Sequence, residues 1–241
     1  MSAKAPIPVA GAADRAPAVR QMFDDLAPRY DIANRVLSLG LDQAWRQKAI
    51  RALGENSKGT VLDLCAGTLD LTRMLLDNGA AHVHAADFSQ QMLSHGQTKL
   101  QAGEPFTIHC ADARELPFEE NSMDGLICGF GLRNVPELPV ALAECARVLR
   151  PGGTLVVLDF FQPVGLLPRL LQGTYNRVIV PIVGGLITGA GEAYRYLNES
   201  IDAFTTASEF EDMLSQQGFT THADRMFPPV AHLVVGNLAD E

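Results

Sequence analysis

The stretch that decides the fold is Thr60-Val61-Leu62-Asp63-Leu64-Cys65-Ala66-Gly67-Thr68-Leu69-Asp70-Leu71-Thr72. Its apolar first half predicts a buried strand, and the glycine followed by spaced leucines predicts a sharp turn into a helix. Asp87 closes a second apolar strand and follows Asp63 at about the 20-residue spacing of a βαβ unit, where a carboxylate hydrogen-bonds a ribose. We therefore expect a nucleoside to bind where these two strands end.

Strands and helices alternate on both sides of this unit, which predicts an α/β fold with a mostly parallel, seven-stranded sheet and helices on both faces. Arg150-Pro151-Gly152-Gly153 is expected to form a tight turn before the fifth strand, since proline stops a helix. A C-terminal antiparallel hairpin, with Pro228 and Pro229 in its turn, completes the sheet. The predicted strands are 60–64, 82–86, 106–110, 123–128, 154–160, 219–226 and 230–236, and the helices between them are 69–78, 89–101, 137–149 and 206–217.

The pattern predicts one domain over residues 18–241 with two additions. Residues 18–58 show helical apolar periodicity and are expected to form an N-terminal helical cap, while 161–204 break the alternation and are expected to form a helical insertion or lid. Residues 1–17, rich in Ala and Pro, are expected to be a flexible arm.

The amino-acid composition of the chain limits the kinds of partner that it is expected to bind. The net charge of -9 and the lack of a Lys/Arg run argue against nucleic acid and favour small molecules. Cys65, Cys110, Cys128 and Cys145 lie far apart in apolar settings, so reduced core thiols are expected, and neither they nor the six histidines show metal spacing. His232 is the histidine whose role is least clear. Neither a signal peptide nor a membrane span is recognised, so a cytoplasmic location is expected.

The loop after the first strand indicates which nucleoside binds. A dinucleotide site needs three glycines here, one of them for the approach of a pyrophosphate. This chain has only Gly67, and Leu69 and Leu71 stand at the start of the helix, which argues against NAD. S-adenosylmethionine, whose nucleoside carries no phosphate, needs less room.

Further residues follow successive strands in the order that this cofactor would require. A carboxylate can accept from both ribose hydroxyls, apolar side chains can pack against adenine, and glycine permits close approach of the methionine part. An aspartate at a strand end can equally be a helix cap or a solvated charge. The prediction of a cofactor site therefore depends on the whole set of residues and their order along the chain, not on any one of them. The predicted cofactor residues are Asp63, Ala66 and Gly67 in the loop, then Asp87, Phe88 and Met92, then Asp112 and Ala113, and finally Gly129.

Five sequence blocks carry a family resemblance from Val19 to about Gly236. They are Met22-Phe23-Asp24 with Arg29-Tyr30-Asp31, the loop around Gly67, Leu116-Pro117-Phe118, Phe130-Gly131-Leu132-Arg133-Asn134-Val135, and Tyr194-Arg195-Tyr196-Leu197 followed by Glu199-Ser200-Ile201. With these blocks the chain resembles class I methyltransferases of Rossmann-like fold. More narrowly, it resembles the UbiE/MenG-type C-methyltransferases of ubiquinone and menaquinone biosynthesis.

The resemblance implies S-adenosylmethionine as methyl donor, S-adenosylhomocysteine as product and a quinol or related phenolic ring as acceptor. It adds Thr68 to the cofactor residues. The chain departs from the family pattern at Ala66 and Leu69, where the family usually has glycine, and at Asp112 and Gly129, where it commonly has asparagine and serine. These departures leave open a methyltransferase acting at carbon or oxygen of another small molecule, or a non-catalytic S-adenosylmethionine-binding protein.

Arg133 is the predicted catalytic residue, because it follows the fourth strand where the transferable methyl would lie. It cannot act as a base but could hold a phenolate or orient a water, and a structural salt bridge or helix cap is the alternative. The predicted acceptor pocket, whose tyrosines could instead be core residues, consists of Tyr30, Asp31, Phe130, Asn134, Tyr194 and Tyr196.

An apolar run from Val178 to Ala190 is too short to span a bilayer. With four leucines between 166 and 171 it could cover a polyprenyl tail or touch a membrane surface peripherally. Packing on the sheet or a homodimer contact is the alternative.

Overall fold

The computed structural model describes residues 16–38, 40–165, 191–227 and 229–240. Four expectations lie wholly or largely outside these residues: the flexible arm at 1–17, the lid formed by the apolar run 178–190, the place of Pro228 in the hairpin turn, and the position of the Tyr194 side chain.

The α/β prediction is confirmed by a seven-stranded sheet of order β3-β2-β1-β4-β5-β7-β6. Strands β1 to β5 pair in parallel, and β7 pairs antiparallel with both β5 and β6, which is the predicted hairpin. The carboxyl ends of β1 to β4 therefore meet at one edge of the sheet. The strands are β1 Thr60–Leu64, β2 His82–Asp87, β3 Phe106–Cys110, β4 Met123–Gly129, β5 Leu149–Asp159, β6 Phe219–Arg225 and β7 His232–Leu238.

Helices cover both faces of the sheet. Three helices precede the first strand along the chain: α1 Ala16–Leu26, α2 Tyr30–Leu37 and α3 Leu41–Ala52. Three more connect parallel strands: α4 Asp70–Asp77, α5 Gln90–Gly96 and α6 Leu138–Val148. The last two, α7 Gly191–Ala203 and α8 Ala207–Gln216, lie between β5 and the hairpin. A capping box between Thr206 and Glu209 fixes the start of α8 by satisfying two orphan N–H groups. None of the described helices is long and apolar enough to cross a membrane.

Two apolar clusters, one on each face, account for the continuous hydrophobic strands. Along β1, Leu62 and Leu64 belong to the cluster that also contains residues of α6 and α8, whereas Val61 belongs to the cluster with residues of α3 and α4. Because alternate side chains enter opposite layers, both faces of the sheet are buried, and each fully buried leucine contributes about 1.5–3 kcal/mol.

Three expectations about local structure were wrong. Strand β5 begins at Leu149, which pairs with Met123, so the predicted turn at 150–153 is a bulge within the strand span, with Gly152 at φ +74°. Helix α5 stops at Gly96 and continues as a 3-10 turn over Gln97–Lys99. Cys110 is exposed because it ends the edge strand β3, although all four thiols are free as expected.

Candidate active site

The loop between β1 and α4 is left-handed at three positions, Cys65, Gly67 and Leu69, with φ of 55°, 53° and 63°. Glycine adopts this conformation freely, whereas each of the other two residues is strained by roughly 1–2 kcal/mol. The loop is held to the end of β2, because the Ala66 N–H donates to Ala86 O at 3.0 Å and the Gly67 N–H donates to Asp87 Oδ2 at 2.9 Å. The strained turn thus presents its backbone at a fixed position beside β2.

Leu69, which replaces a family glycine, points into the core. Its side chain is fully buried and packs with Leu93 and Ala85. Room for it comes from Gly96 of α5, where an added Cβ would lie only 2.7 Å from Leu69 Cγ. Leu69 does not line the cavity described next, so this departure from the family leaves the binding space unchanged.

A cavity of about 720 Å³, its open mouth included, lies at the carboxyl ends of β1 to β4. Nine of the predicted site residues line it: Gly67, Asp87, Phe88, Met92, Asp112, Ala113, Tyr30, Phe130 and Asn134. Among the described residues the lining also includes Val19, Phe23, Leu64, Cys65, Ala86, Ala111, Gly131, Val135 and Pro136.

Asp87 is the buried carboxylate of this cavity, with only 7% of its surface exposed. Its Oδ2 accepts from the Gly67 N–H at 2.9 Å and its Oδ1 from the Ser89 N–H at 2.8 Å. Burial raises its pKa to about 6, against the lowering effect of these two hydrogen bonds. At neutral pH it is mostly ionised, and each oxygen keeps a lone pair for a further donor.

Asp112 supplies a second carboxylate farther along the sheet edge, after β3. Arg114 holds it with two guanidinium hydrogen bonds of 3.0 and 2.8 Å and a backbone N–H bond of 2.9 Å, and these lower the pKa of Asp112. Arg114 is itself fixed by Glu137 at 2.6 Å. Asp112 is therefore an ionised, oriented acceptor at this end of the cavity.

An aromatic wall from α1 closes the opposite side. Phe23 makes edge contacts with Tyr30, Phe88 and Tyr196, with ring centroids 6.1, 6.3 and 6.5 Å apart. The helical apolar periodicity of residues 18–58 predicted a helical cap here but gave no sign that Val19 and Phe23 line the cavity. Periodicity identifies an apolar face without showing what that face covers.

Tyr30 and Tyr196 both contact Phe23 of the aromatic wall. The Tyr196 hydroxyl donates to Asn134 Oδ1 at 2.9 Å, so these two residues of the predicted acceptor pocket are in contact. Asn134 lines the cavity, whereas Tyr196 does not. Burial raises the pKa of Tyr30, so its hydroxyl stays protonated and can donate a hydrogen bond.

Several predicted site residues lie behind the cavity wall. Asp63 is fully buried, accepts from Thr72 Oγ1 at 2.6 Å, and has its pKa raised by burial to about 7. Thr68 donates to Asp31, whose other oxygen pairs with Lys99 Nζ at 2.6 Å. Ala66 and Gly129 also do not line the cavity.

Arg133 is held in a buried ion pair. Its Nη1 donates to Asp159 Oδ1 at 2.7 Å and to the Phe130 carbonyl, while its Cζ lies 5.6 Å from the centroid of the Phe160 ring. Burial acts to lower the pKa of Arg133, but the charge of Asp159 and the nearby Tyr30 and Tyr196 raise it overall. Asp159, 26 residues away in sequence, was missed because no local pattern links it to Arg133.

The sheet order, with an antiparallel β7 between β5 and β6, and a cavity at the strand ends holding a carboxylate after β2 define a class I, Rossmann-like methyltransferase. The model of the ubiE/COQ5 methyltransferase family matches residues 11–227, and the chain belongs to this family.

Named relatives agree with this assignment. The chain is 42% identical to the ubiquinone/menaquinone biosynthesis C-methyltransferase UbiE of Syntrophotalea carbinolica, over 83% of this chain and 85% of the relative. It is 39% identical to the demethylmenaquinone methyltransferase of Thermus thermophilus, over 90% of this chain and 99% of the relative.

Solved structures share the fold at low sequence identity. The Haemonchus contortus phosphoethanolamine N-methyltransferase 2 in complex with S-adenosylhomocysteine superposes with a TM-score of 0.68 and 14% identity, covering 91% of this chain and 60% of that one. An S-adenosylmethionine-dependent methyltransferase from Mesorhizobium loti gives 0.59 and 20%, covering 82% and 100%.

Proposed function

We propose that this methyltransferase uses S-adenosylmethionine to methylate a ring carbon of a demethylated menaquinol or ubiquinol precursor and releases S-adenosylhomocysteine. The observation that carries the cofactor assignment is Asp87, a buried carboxylate lining the cavity at the end of β2. The acceptor class is supported by the names of the relatives, which are a menaquinone or ubiquinone C-methyltransferase and a demethylmenaquinone methyltransferase.

The described lining residues fit a nucleoside without phosphates. The end of the cavity formed by β2 and β3 holds two carboxylates, Asp87 and Asp112, and neither lysine nor arginine is among the described lining residues, so a diphosphate would be repelled at that end. Gly67 keeps space open beside the loop, since an added Cβ would come within 3.4 Å of Met92 Cε and 3.9 Å of the Tyr30 ring.

Each part of the cofactor has a group to hold it. Asp87 would accept from the two ribose hydroxyls through its remaining lone pairs. Phe88 and Met92 would pack against the adenine faces, and Asp112 would accept from the adenine amino group. When bound, S-adenosylmethionine supplies an electrophilic methyl group on a positively charged sulfur.

The remaining task of the protein is to make the acceptor nucleophilic. A ring carbon attacks readily only when a neighbouring hydroxyl has lost its proton, so the site must stabilise a phenolate and exclude water. We assign the stabilisation to Arg133, which does not line the cavity but lies directly behind it, because its guanidinium is fixed by Asp159 and donates to the carbonyl of the lining residue Phe130. The Tyr196 and Asn134 pair would orient a ring oxygen.

Transfer of a radiolabelled methyl group tests the proposal. The chain should label a chemically reduced demethylmenaquinol, should not label the quinone form, and should label simple phenols far more slowly. Faster labelling of a simple phenol or of an oxygen acceptor would contradict the acceptor assignment and favour a methyltransferase of another small molecule.

Variants of Arg133 test its role separately. Arg133→Met should lower kcat by about 100- to 1,000-fold, the cost of removing one preorganised electrostatic group, with little change in the Kd of S-adenosylhomocysteine. Arg51→Met on the exposed side of α3 is the matched control and should keep full turnover. Unchanged kcat in Arg133→Met would remove Arg133 from the mechanism.

The acceptor class also bears on location. A polyprenyl quinol resides in a membrane, so a cytoplasmic enzyme would have to meet it at the membrane surface. The chain should therefore float with liposomes that contain a long-tailed demethylmenaquinol. Equal flotation with liposomes lacking the quinol would show that contact does not depend on the acceptor.

A further inference from the structure

Arg46 of α3 is a buried guanidinium that makes no hydrogen bond to any described residue. Only 7% of its side chain is exposed, and its Nε is fully enclosed without a hydrogen-bond partner in the described part of the chain. Its ion pair with Asp42 is weak, since Nε lies 4.0 Å from Asp42 Oδ2. Asp42 already accepts from Ser38 at 2.9 Å and Gln43 at 3.1 Å. A buried charge with so little compensation costs several kcal/mol, which favours a bound anion.

The guanidinium lies directly behind the cavity. Its Cζ is 5.5 Å from the centroid of the Phe130 ring, which lines the cavity, and its Nη1 is 3.2 Å from the point where a Cβ on Gly129 would stand. Leu71 Cδ1 would be only 2.7 Å from that same point. The absence of a side chain at Gly129 therefore makes room for Arg46 at the carboxyl end of β4.

The sheet order sets the order of the ligand's parts. Across the edge β3-β2-β1-β4, Asp112 follows β3 and Asp87 ends β2. With adenine at Asp112 and the ribose at Asp87, the amino-acid end of the ligand extends past β1 toward β4, where Arg46 lies. Phe130, the first residue after β4, is held at φ +64°, a strained conformation of the kind concentrated in binding sites.

We propose that Arg46 binds the α-carboxylate of the cofactor's amino-acid end; this inference rests on the proposed use of S-adenosylmethionine. The adjacent end of β1 supplies an acceptor for the ligand's amino group, because Asp63 Oδ1 is buried and also unpartnered among the described residues. A zwitterionic amino-acid group would satisfy both. Arg46 thus acts in cofactor binding, while Arg133 serves the acceptor.

Calorimetry with two thioethers tests this assignment. S-adenosylhomocysteine carries the amino-acid end, and 5′-methylthioadenosine keeps the nucleoside and the sulfur but lacks it. Arg46→Met should weaken S-adenosylhomocysteine about 10- to 100-fold, the range for a lost charged hydrogen bond, and change 5′-methylthioadenosine less than about twofold. Arg46→Lys should retain part of the affinity, and Arg51→Met, one turn or so along the same helix, should retain all of it.

Weaker binding by Arg46→Met should not come from a loss of folding. Replacing a poorly compensated buried charge with methionine should leave the melting temperature unchanged or raise it. Equal weakening of both thioethers would show that Arg46 only supports the fold. Normal S-adenosylhomocysteine affinity with reduced kcat would assign Arg46 to the acceptor instead, and either result overturns the inference. A wild-type chain that binds neither thioether would overturn the proposed function along with it.

Discussion

Replacing Gly96 with alanine should destabilise the protein and loosen the cofactor loop, even though alanine is the better helix former. Gly96 is the last residue of α5 and faces the loop after β1. An added Cβ would stand 2.4 Å from the Thr68 carbonyl carbon, 2.5 Å from its oxygen and 2.7 Å from Leu69 Cγ. Two of these three atoms belong to the backbone, which hydrogen bonds to β2 hold in place nearby.

The magnitude follows from two opposing effects. Alanine gains about 1 kcal/mol over glycine in helix propensity. Overpacking costs about 1–3 kcal/mol, and the upper end of about 3 kcal/mol applies here because two of the three obstructing atoms are Thr68 backbone atoms. We expect a net loss of about 2 kcal/mol in the free energy of unfolding, or about 4–8 °C in melting temperature for a domain of this size. Displacement of the adjoining Gly67 should also weaken S-adenosylhomocysteine.

Urea unfolding followed by circular dichroism measures the first effect and calorimetry the second. Ser94→Ala, on the exposed side of α5, is the control and should shift stability by less than about 0.5 kcal/mol. Leu69→Ala should itself cost about 2–5 kcal/mol and should not rescue Gly96→Ala, because the Thr68 backbone still obstructs the new methyl. A Gly96→Ala protein as stable as wild type, or full rescue by Leu69→Ala, would refute this reasoning.

Two more predictions concern titration and thiol chemistry. In the proposed binding mode a ribose hydroxyl donates to ionised Asp87, whose pKa burial raises to about 6, so the affinity for S-adenosylhomocysteine measured by calorimetry should fall as pH drops through that value. Asp87→Asn should bind weakly at every pH, and a wild-type affinity that stays flat down to about pH 5 would contradict the role. Iodoacetamide should label exposed Cys110 first and buried Cys128 and Cys145 last. Peptide mass mapping measures the extent of labelling at each cysteine. S-adenosylhomocysteine should slow the labelling of Cys65, which lines the cavity, and unchanged labelling would place the ligand elsewhere.

Much of the fold could be predicted because its signals are local. Apolar runs of strand length, amphipathic helices and their alternation can be recognised from neighbouring residues in the sequence. These patterns place Asp87, Asp112 and Phe130 at strand ends, which a parallel sheet brings together. The start of β5 was missed for the same reason. Pro151 and Gly152 indicate a turn locally, but pairing of Leu149 with Met123 extends the strand across them.

The α/β class, the carboxylates at the strand ends and the likeness of the β1–α4 loop to that of the family can all be recognised in the amino-acid sequence. The residues that pack behind that loop could not be predicted, because contacts between distant residues leave no periodic pattern. Leu69, whose place in the loop argued against a pyrophosphate, turns into the core because Gly96 leaves room for it. Arg133 meets Asp159, and Arg46 reaches the space left by Gly129, only once the sheet has assembled.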